Sequence, residues 1–295
     1  MGLESLKEYC TPESMPEAMR LLDRYRDAAL IMAGGSFVRG LDARGLLSGI
    51  EAVVDLRALG LDGIEVRTEG IRIGATTRFA SLEQSDELRS QPWAAAARDA
   101  LGRPPLQIRN AATIGGALAT SCPFFDVPVA LMALDARVST QGPQGVRSFE
   151  LEKLFAGMFQ NALAPGEFIT GILLPRPTLP SASAFQKIGG NANDLAIVNA
   201  SAAVSLDGNG RFGDVRVVLG GGVGDKPVRA SSAEAALRGS KPDEALLLRA
   251  AQQALKDIDP MSDHRGSAAY RATIAKVLVQ RVLTNAVERL HTNKG

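Results

Sequence analysis

The chain has 295 residues, 45% of them hydrophobic and 22% charged, with a formal net charge of +1. That length accommodates two or three compact units with a sizeable core, and the composition is that of an ordinary globular protein. A charge near zero gives no electrostatic pull towards nucleic acid or an anionic membrane, and no run of about 18 apolar residues marks a membrane-spanning helix.

The start, MGLESLKEYCTPESM, lacks the basic residues and apolar stretch of a signal peptide. Cys10 and Cys122 lie far apart and form no CxxC pair. Both features give the expectation of a reducing, cytoplasmic compartment. Two cysteines also exclude an iron–sulfur cluster held by this chain alone, because such clusters take about four thiolates. His264 and His291 have no partner motif for zinc.

In chain order, Thr11-Pro12-Glu13 and Ser14-Met15-Pro16-Glu17 offer two starts for a first helix with an apolar stripe at Ala18, Met19, Leu21 and Leu22. The run 29–33 predicts a buried strand that ends in Gly34-Gly35-Ser36, and 53–56 predicts another. Residues 64–67 and 71–74 alternate with period two around a Glu69-Gly70 turn, which predicts a hairpin. Helices are expected over 79–88, 93–101 and 127–136, then a strand at 137–140. Pro175, Pro177 and Pro180 mark a boundary. Beyond it, strands are expected at 184–188, 202–206 and 215–219, with a turn at 207–210, and helices at 232–237, 242–256 and 268–290. The pattern reads as α+β in three segments, 1–57, 58–176 and 177–295.

Two stretches carry candidate chemistry. Ala33, Gly34, Gly35, Ser36, Phe37 and Val38 follow directly on a buried strand. Glycines there allow close approach and positive φ, so successive N–H groups can face one anion. Thr113, Ile114, Gly115, Gly116 and Ala117 repeat the idea, with paired glycines beside a hydroxyl. Either stretch alone is also what a plain turn looks like. Two in one chain fit one extended ligand with a diphosphate, and Phe124, Phe125 and Asp126 add the aromatic surface and carboxylate that suit a flavin. Other patterns fail: there is no GxxxxGK(S/T) and no GxSxG. Gly220-Gly221-Gly222-Val223-Gly224 leads into Asp225-Lys226-Pro227 and reads as a turn leaving a strand.

At these two stretches the sequence resembles the FAD-binding medium subunits of the molybdenum hydroxylase family, that of xanthine dehydrogenase and carbon monoxide dehydrogenase. AGGSFV (33–38) and RNAATIGGA (109–117) carry the likeness, with Pro123 and Asp126 after them. It extends through IRIGATTRFASLE (71–83), GEFITGILLP (166–175), FQKIGGNANDLAIVNASAAV (185–204) and SDHRGSAAYRATIAKVLVQRVL (262–283), nearly the whole chain. The resemblance implies a two-subdomain FAD-binding fold of the vanillyl-alcohol-oxidase/PCMH type plus a C-terminal sheet-and-helix subdomain.

It further implies that 33–38 wrap the diphosphate through backbone N–H groups and that 113–117 grip the same region. Asp126 would accept from ribityl or ribose hydroxyls, Ile169 would pack near the adenine or flavin edge, and Lys187 would stand near the flavin. The other reading of Lys187 is a solvated lysine on an edge strand. The implied partners are a large subunit with the molybdenum cofactor and a small one with two [2Fe–2S] clusters, as a dimer of heterotrimers. FAD in this chain would pass electrons from the clusters to an external acceptor. Ala117 departs from the Asn or Asp common after TIGG, which leaves contact there to the backbone. Phe124 and Phe125 either line the flavin or a subunit interface, or pack in the core. Cys122 reads as a buried small hydrophobe. Two other functions stay open: a free-standing flavoprotein oxidase or reductase on this fold, and a scaffold without cofactor.

Overall fold

The computed structural model describes residues 5–191 and 194–292. The first unit runs β1 (Glu8–Cys10), α1 (Met15–Tyr25), β2 (Ala29–Met32), α2 (Val38–Asp42) and β3 (Ala52–Asp55). Its strands form a parallel sheet in the order β1–β3–β2. Parallel pairing needs long crossovers, which α1 and α2 supply. Of the two starts open to α1, Ser14 is the N-cap, with proline in the first turn where an N–H has no partner anyway. Ala18 and Leu22 then pack on Val54 and Leu56.

The second unit contains β4 (Ile64–Arg67), β5 (Gly70–Gly74), α3 (Phe79–Gln84), α4 (Asp86–Arg89), α5 (Ala95–Leu101), α6 (Leu106–Ala111), α7 (Ile114–Ala119) and α8 (Asp126–Ala133). After these come β6 (Arg137–Gly142), β7 (Gly145–Glu150), β8 (Phe155–Gly157), β9 (Gln160–Asn161) and β10 (Phe168–Pro175). Its antiparallel sheet has the order β4–β5–β10–β6–β7. The last strand enters the middle, between β5 and β6, so the sheet closes only when residues 168–175 return. Gly70 holds the hairpin at φ +151°, where a Cβ would stand 2.0 Å from the Leu174 carbonyl oxygen. Only glycine fits there.

The single helix expected over 79–88 is two helices. Ser85 has extended backbone and caps the second through Leu88 N–H at 3.3 Å. Strands β7 and β10 and the short helices α6 and α7 lie where no strong periodicity predicts them.

The third unit is an antiparallel sheet of β11 (Ser181–Ile188), β12 (Val198–Leu206), β13 (Phe212–Gly220) and β14 (Val228–Arg229), followed by α9 (Ser231–Leu237), α10 (Glu244–Gln253) and α11 (Ala268–Thr292). The central strand, VNASAAVSL, is buried along almost its whole length. Ala200, Ala202 and Val204 face the core shared with α11, whereas Phe185 and Val218 join the core of the second unit with α5 and α8. A sheet covered on both faces reads as a near-continuous apolar run, and its small residues let the helices come close. Ser183 ties the units together, accepting from Ala96 N–H at 2.8 Å and donating to the Trp93 carbonyl at 2.7 Å.

Candidate functional site

A cleft of about 860 Å³ opens where the three units meet. Its first wall is the turn that leaves β2. Gly35 takes φ +62°, and Val38 N–H closes the turn on the Gly35 carbonyl at 3.2 Å. Among the described residues, the N–H groups of Gly34, Gly35, Ser36 and Phe37 donate to no protein acceptor. Four consecutive free donors are what an anion-binding concavity consists of. Val38 is the exception within the predicted stretch, because its N–H is committed to the turn.

The second glycine stretch is not a loop but the start of α7. Thr113 is its N-cap, with Oγ1 accepting from Gly116 N–H at 3.3 Å. Ile114, Gly115 and Ala117 donate to the Thr77, Ala75 and Thr113 carbonyls at 3.0, 2.8 and 3.0 Å. The expectation of a free backbone grip from 113–117 is therefore corrected: Ile114, Gly115 and Ala117 N–H are committed, while Thr113 N–H donates to no acceptor among the described residues and Gly116 N–H is held loosely enough to be shared. The two turns touch. A Cβ on Gly34 would lie 2.0 Å from the Ala111 carbonyl oxygen and 3.1 Å from Ala112 Cα.

Thirteen of the fourteen sequence-predicted residues line this cleft: Ala33 to Val38, Thr113, Gly115, Gly116, Ala117, Asp126, Ile169 and Lys187. Ile114 does not. Its side chain is buried in the core of the second unit, as an apolar residue facing inward from a helix start should be.

Asp126 opens α8, and both its oxygens already have protein donors. Lys187 Nζ donates to Oδ2 at 2.8 Å and Asn199 Nδ2 to Oδ1 at 2.9 Å. Lys187 also donates to the Asp194 carbonyl at 2.7 Å. Both charged side chains are 6% exposed, so the solvated reading of Lys187 is corrected: β11 carries it inward against α8. Burial pushes the Asp126 carboxyl above the usual carboxylate range, against the pull of Lys187 and Asn199. Each carboxylate oxygen keeps a second lone pair, and the ammonium keeps a third N–H. Ligand hydroxyls would share Asp126 with its protein partners.

Aromatic rings close one side. Phe37 meets Phe125 edge-on at 5.0 Å and stacks on Phe159 at 6.1 Å. The Arg44 guanidinium covers Phe159 at 4.8 Å and Phe37 at 5.5 Å. Phe124 turns away and carries Arg265 over its ring at 4.7 Å. The pair thus divides, with Phe125 on the cleft and Phe124 in the core. Cys122 is buried, and the loss of solvent pushes its thiol up to about 11. The triple-glycine cluster follows β13, with Gly221 and Gly222 at positive φ against Val198 and Arg271, outside the cleft.

Several lining residues escaped the sequence reading, among them Thr76, Phe159, Asn161 and the segment 163–168. Glu167 fixes that segment: it accepts from Ala164 N–H at 2.7 Å, from Arg147 Nη2 at 2.6 Å and from the Thr140 hydroxyl. Burial alone would raise its pKa, but these donors hold it below the usual range. The only signal was GEF itself, an acid beside a glycine ahead of an apolar strand.

The sequence profile described as the FAD binding domain in molybdopterin dehydrogenase matches residues 4–177, and that of the CO dehydrogenase flavoprotein C-terminal domain matches 183–286. This chain belongs to the FAD-binding family of molybdopterin dehydrogenases. It is 35% identical over 97% of its length to the 6-hydroxypseudooxynicotine dehydrogenase complex subunit alpha of Paenarthrobacter nicotinovorans, covering 96% of that protein. To the glyceraldehyde dehydrogenase medium chain of Sulfolobus acidocaldarius it is 32% identical, over 92% of this chain and 95% of that one. Among solved structures, reconstituted CO dehydrogenase from Oligotropha carboxidovorans superposes with a TM-score of 0.90 at 30% identity, covering 97% of this chain and 98% of that one. The chain is therefore an FAD-binding oxidoreductase subunit of the molybdenum hydroxylase family, with the α+β FAD-binding fold and a C-terminal domain. Free N–H groups at a glycine turn, an aromatic side and a buried cation–carboxylate pair in one cleft fit that cofactor. No helix among the described residues is long and apolar enough to cross a membrane.

Proposed function

We propose that this chain is the electron-transfer subunit of a cytoplasmic molybdenum hydroxylase, receiving electrons from the [2Fe–2S] clusters of a small partner and handing them to an external acceptor. A large partner subunit would hold the molybdenum cofactor and act on the substrate, in a dimer of heterotrimers. The observation that carries the reading is the row of free N–H groups from Gly34 to Phe37, opening on a cleft that also holds Lys187.

When bound, FAD supplies a ring that takes electrons singly and releases them in pairs. The chain's own residues bind and orient it. Gly34 to Phe37 hold the diphosphate, and the close contact of their turn with Ala111 and Ala112 sets the width of the cleft. Ile169 and Phe125 shape its apolar surface. Lys187, fixed by Asp126 and Asp194, presents one remaining N–H and a positive charge, which favours added electron density nearby. Asp126 shares its lone pairs with ligand hydroxyls. We further propose that the three segments 1–57, 58–176 and 177–295 act as two FAD-binding subdomains and a C-terminal subdomain.

Co-expression with the neighbouring genes tests this reading. The purified complex should contain flavin, iron–sulfur and molybdenum, and its own substrate should bleach the flavin and cluster absorption together. A flavin that stays oxidised while the clusters are reduced would remove this chain from the electron path.

A further inference from the structure

We infer that Thr76 is a ligand-binding residue of the cleft, its hydroxyl donating to the diphosphate of the bound dinucleotide. The inference rests on the FAD reading above. Thr76 lies between β5 and α3, and its backbone N–H donates to the Leu61 carbonyl at 2.9 Å. Thr76 lines the cleft and is 8% exposed, yet its hydroxyl has no hydrogen-bond partner among the described residues. Its neighbour shows the usual arrangement: Thr77 Oγ1 donates to the Gly63 carbonyl at 3.1 Å and accepts from Gly63 N–H at 2.9 Å. A buried hydroxyl with no partner is unfavourable, since nothing replaces the water it has lost. A ligand oxygen on the cleft floor supplies that partner.

The backbone places Thr76 where the two glycine turns meet. Residues 75–79 run beside 112–115, with Phe79 N–H on the Ala112 carbonyl at 3.0 Å, Ile114 N–H on Thr77 at 3.0 Å and Gly115 N–H on Ala75 at 2.8 Å. The Gly34 turn packs on the same stretch, at Ala111 and Ala112. Four free backbone donors and one hydroxyl donor thus share one end of the cleft. Donors without acceptors suit an anion, and in a dinucleotide that is the diphosphate.

Thr76→Val keeps the shape and removes the hydroxyl. The full-length chain, stripped of flavin, is titrated with FAD and separately with ADP, and its ligand-free melting is recorded. Both ligands should bind about tenfold more weakly, about 1.4 kcal/mol. Thr76→Ser should stay within about threefold, since it keeps the donor. Ligand-free Thr76→Val should melt at or above the wild type, because it loses an unpartnered buried hydroxyl. Unchanged FAD affinity in Thr76→Val, beside a wild type that binds FAD, overturns the inference. Weakening with FAD but not ADP overturns the diphosphate assignment, and a ligand-free Thr76→Val that melts well below the wild type assigns the hydroxyl to structure instead. A wild-type chain that binds neither ligand defeats the FAD reading itself, and this inference with it.

Discussion

Replacing Gly34 with alanine puts a methyl carbon 2.0 Å from the Ala111 carbonyl oxygen, 2.9 Å from its carbon and 3.1 Å from Ala112 Cα. Those atoms are all backbone, so no side chain can swing aside. A carbon-to-oxygen approach normally stops near 3.3 Å, so the turns must separate by about 1.3 Å. Overpacking of that kind costs about 1–3 kcal/mol. If the diphosphate needs both turns at their present spacing, the cost falls mainly on the bound state and weakens FAD by about 5- to 150-fold. Flavin fluorescence titration of the stripped chain measures this directly, with thermal melting alongside. Gly208→Ala is the control, because no atom lies within 4 Å of the Cβ it would add. A Gly34→Ala protein that binds FAD as tightly as the Gly208→Ala control would refute the idea that contact between the turns sets the cleft.

Lys187→Met strands the buried Asp126 carboxylate and should cost about 3–5 kcal/mol in urea unfolding at pH 7, most of it recovered by adding Asp126→Asn. Asp126 has a raised pKa when folded, so its contribution is most favourable below the unfolded value near 4 and declines as pH rises through the folded one. The Lys187→Met deficit should therefore shrink on acidification, and a deficit independent of pH would contradict the pairing. Glu167 behaves oppositely: its folded pKa is depressed, so its contribution is present above about 4.3 and is lost as pH falls through the folded value. Glu167→Gln should lose about 1–2 kcal/mol at pH 7, discounted for the half-exposed Arg147, and the deficit should close only as pH falls through the depressed folded value. Cys122, buried and pushed up to about 11, should resist alkylation at pH 8 in the folded chain and react only on unfolding; prompt labelling would show that α7 and α8 open.

Much of the layout was legible in the sequence because its signals are local. The strand ending in Gly34-Gly35, the hairpin turning at Gly70 and the long stripe of α11 follow from periodicity and from residues that permit a turn. The helices α6 and α7 were not legible. Each is six residues long, too short to show a period, and exists because Thr113 caps one and the Ala75–Thr77 carbonyls anchor its start. The inward turn of Lys187 was implied by the family resemblance but not by its own local pattern. A lysine flanked by Gln186 and Ile188 looks solvated until α8 brings Asp126 to it from 61 residues away. Ile114 shows the converse: a motif read as one unit for binding contains a residue whose task is packing, and only the three-dimensional direction of its side chain separates the two. Thr76 and Glu167 belong to the cleft through β5 and β10, strands that neighbour each other in the sheet but lie about a hundred residues apart along the chain.

The most direct measurement is the visible spectrum of the purified chain together with the flavin released from it on denaturation. One FAD per chain, bound through the Gly34–Phe37 turn and lost or weakened in Gly34→Ala, is the result expected. A colourless protein that takes up no added FAD, alone or with its partner subunits, would contradict the account at its centre.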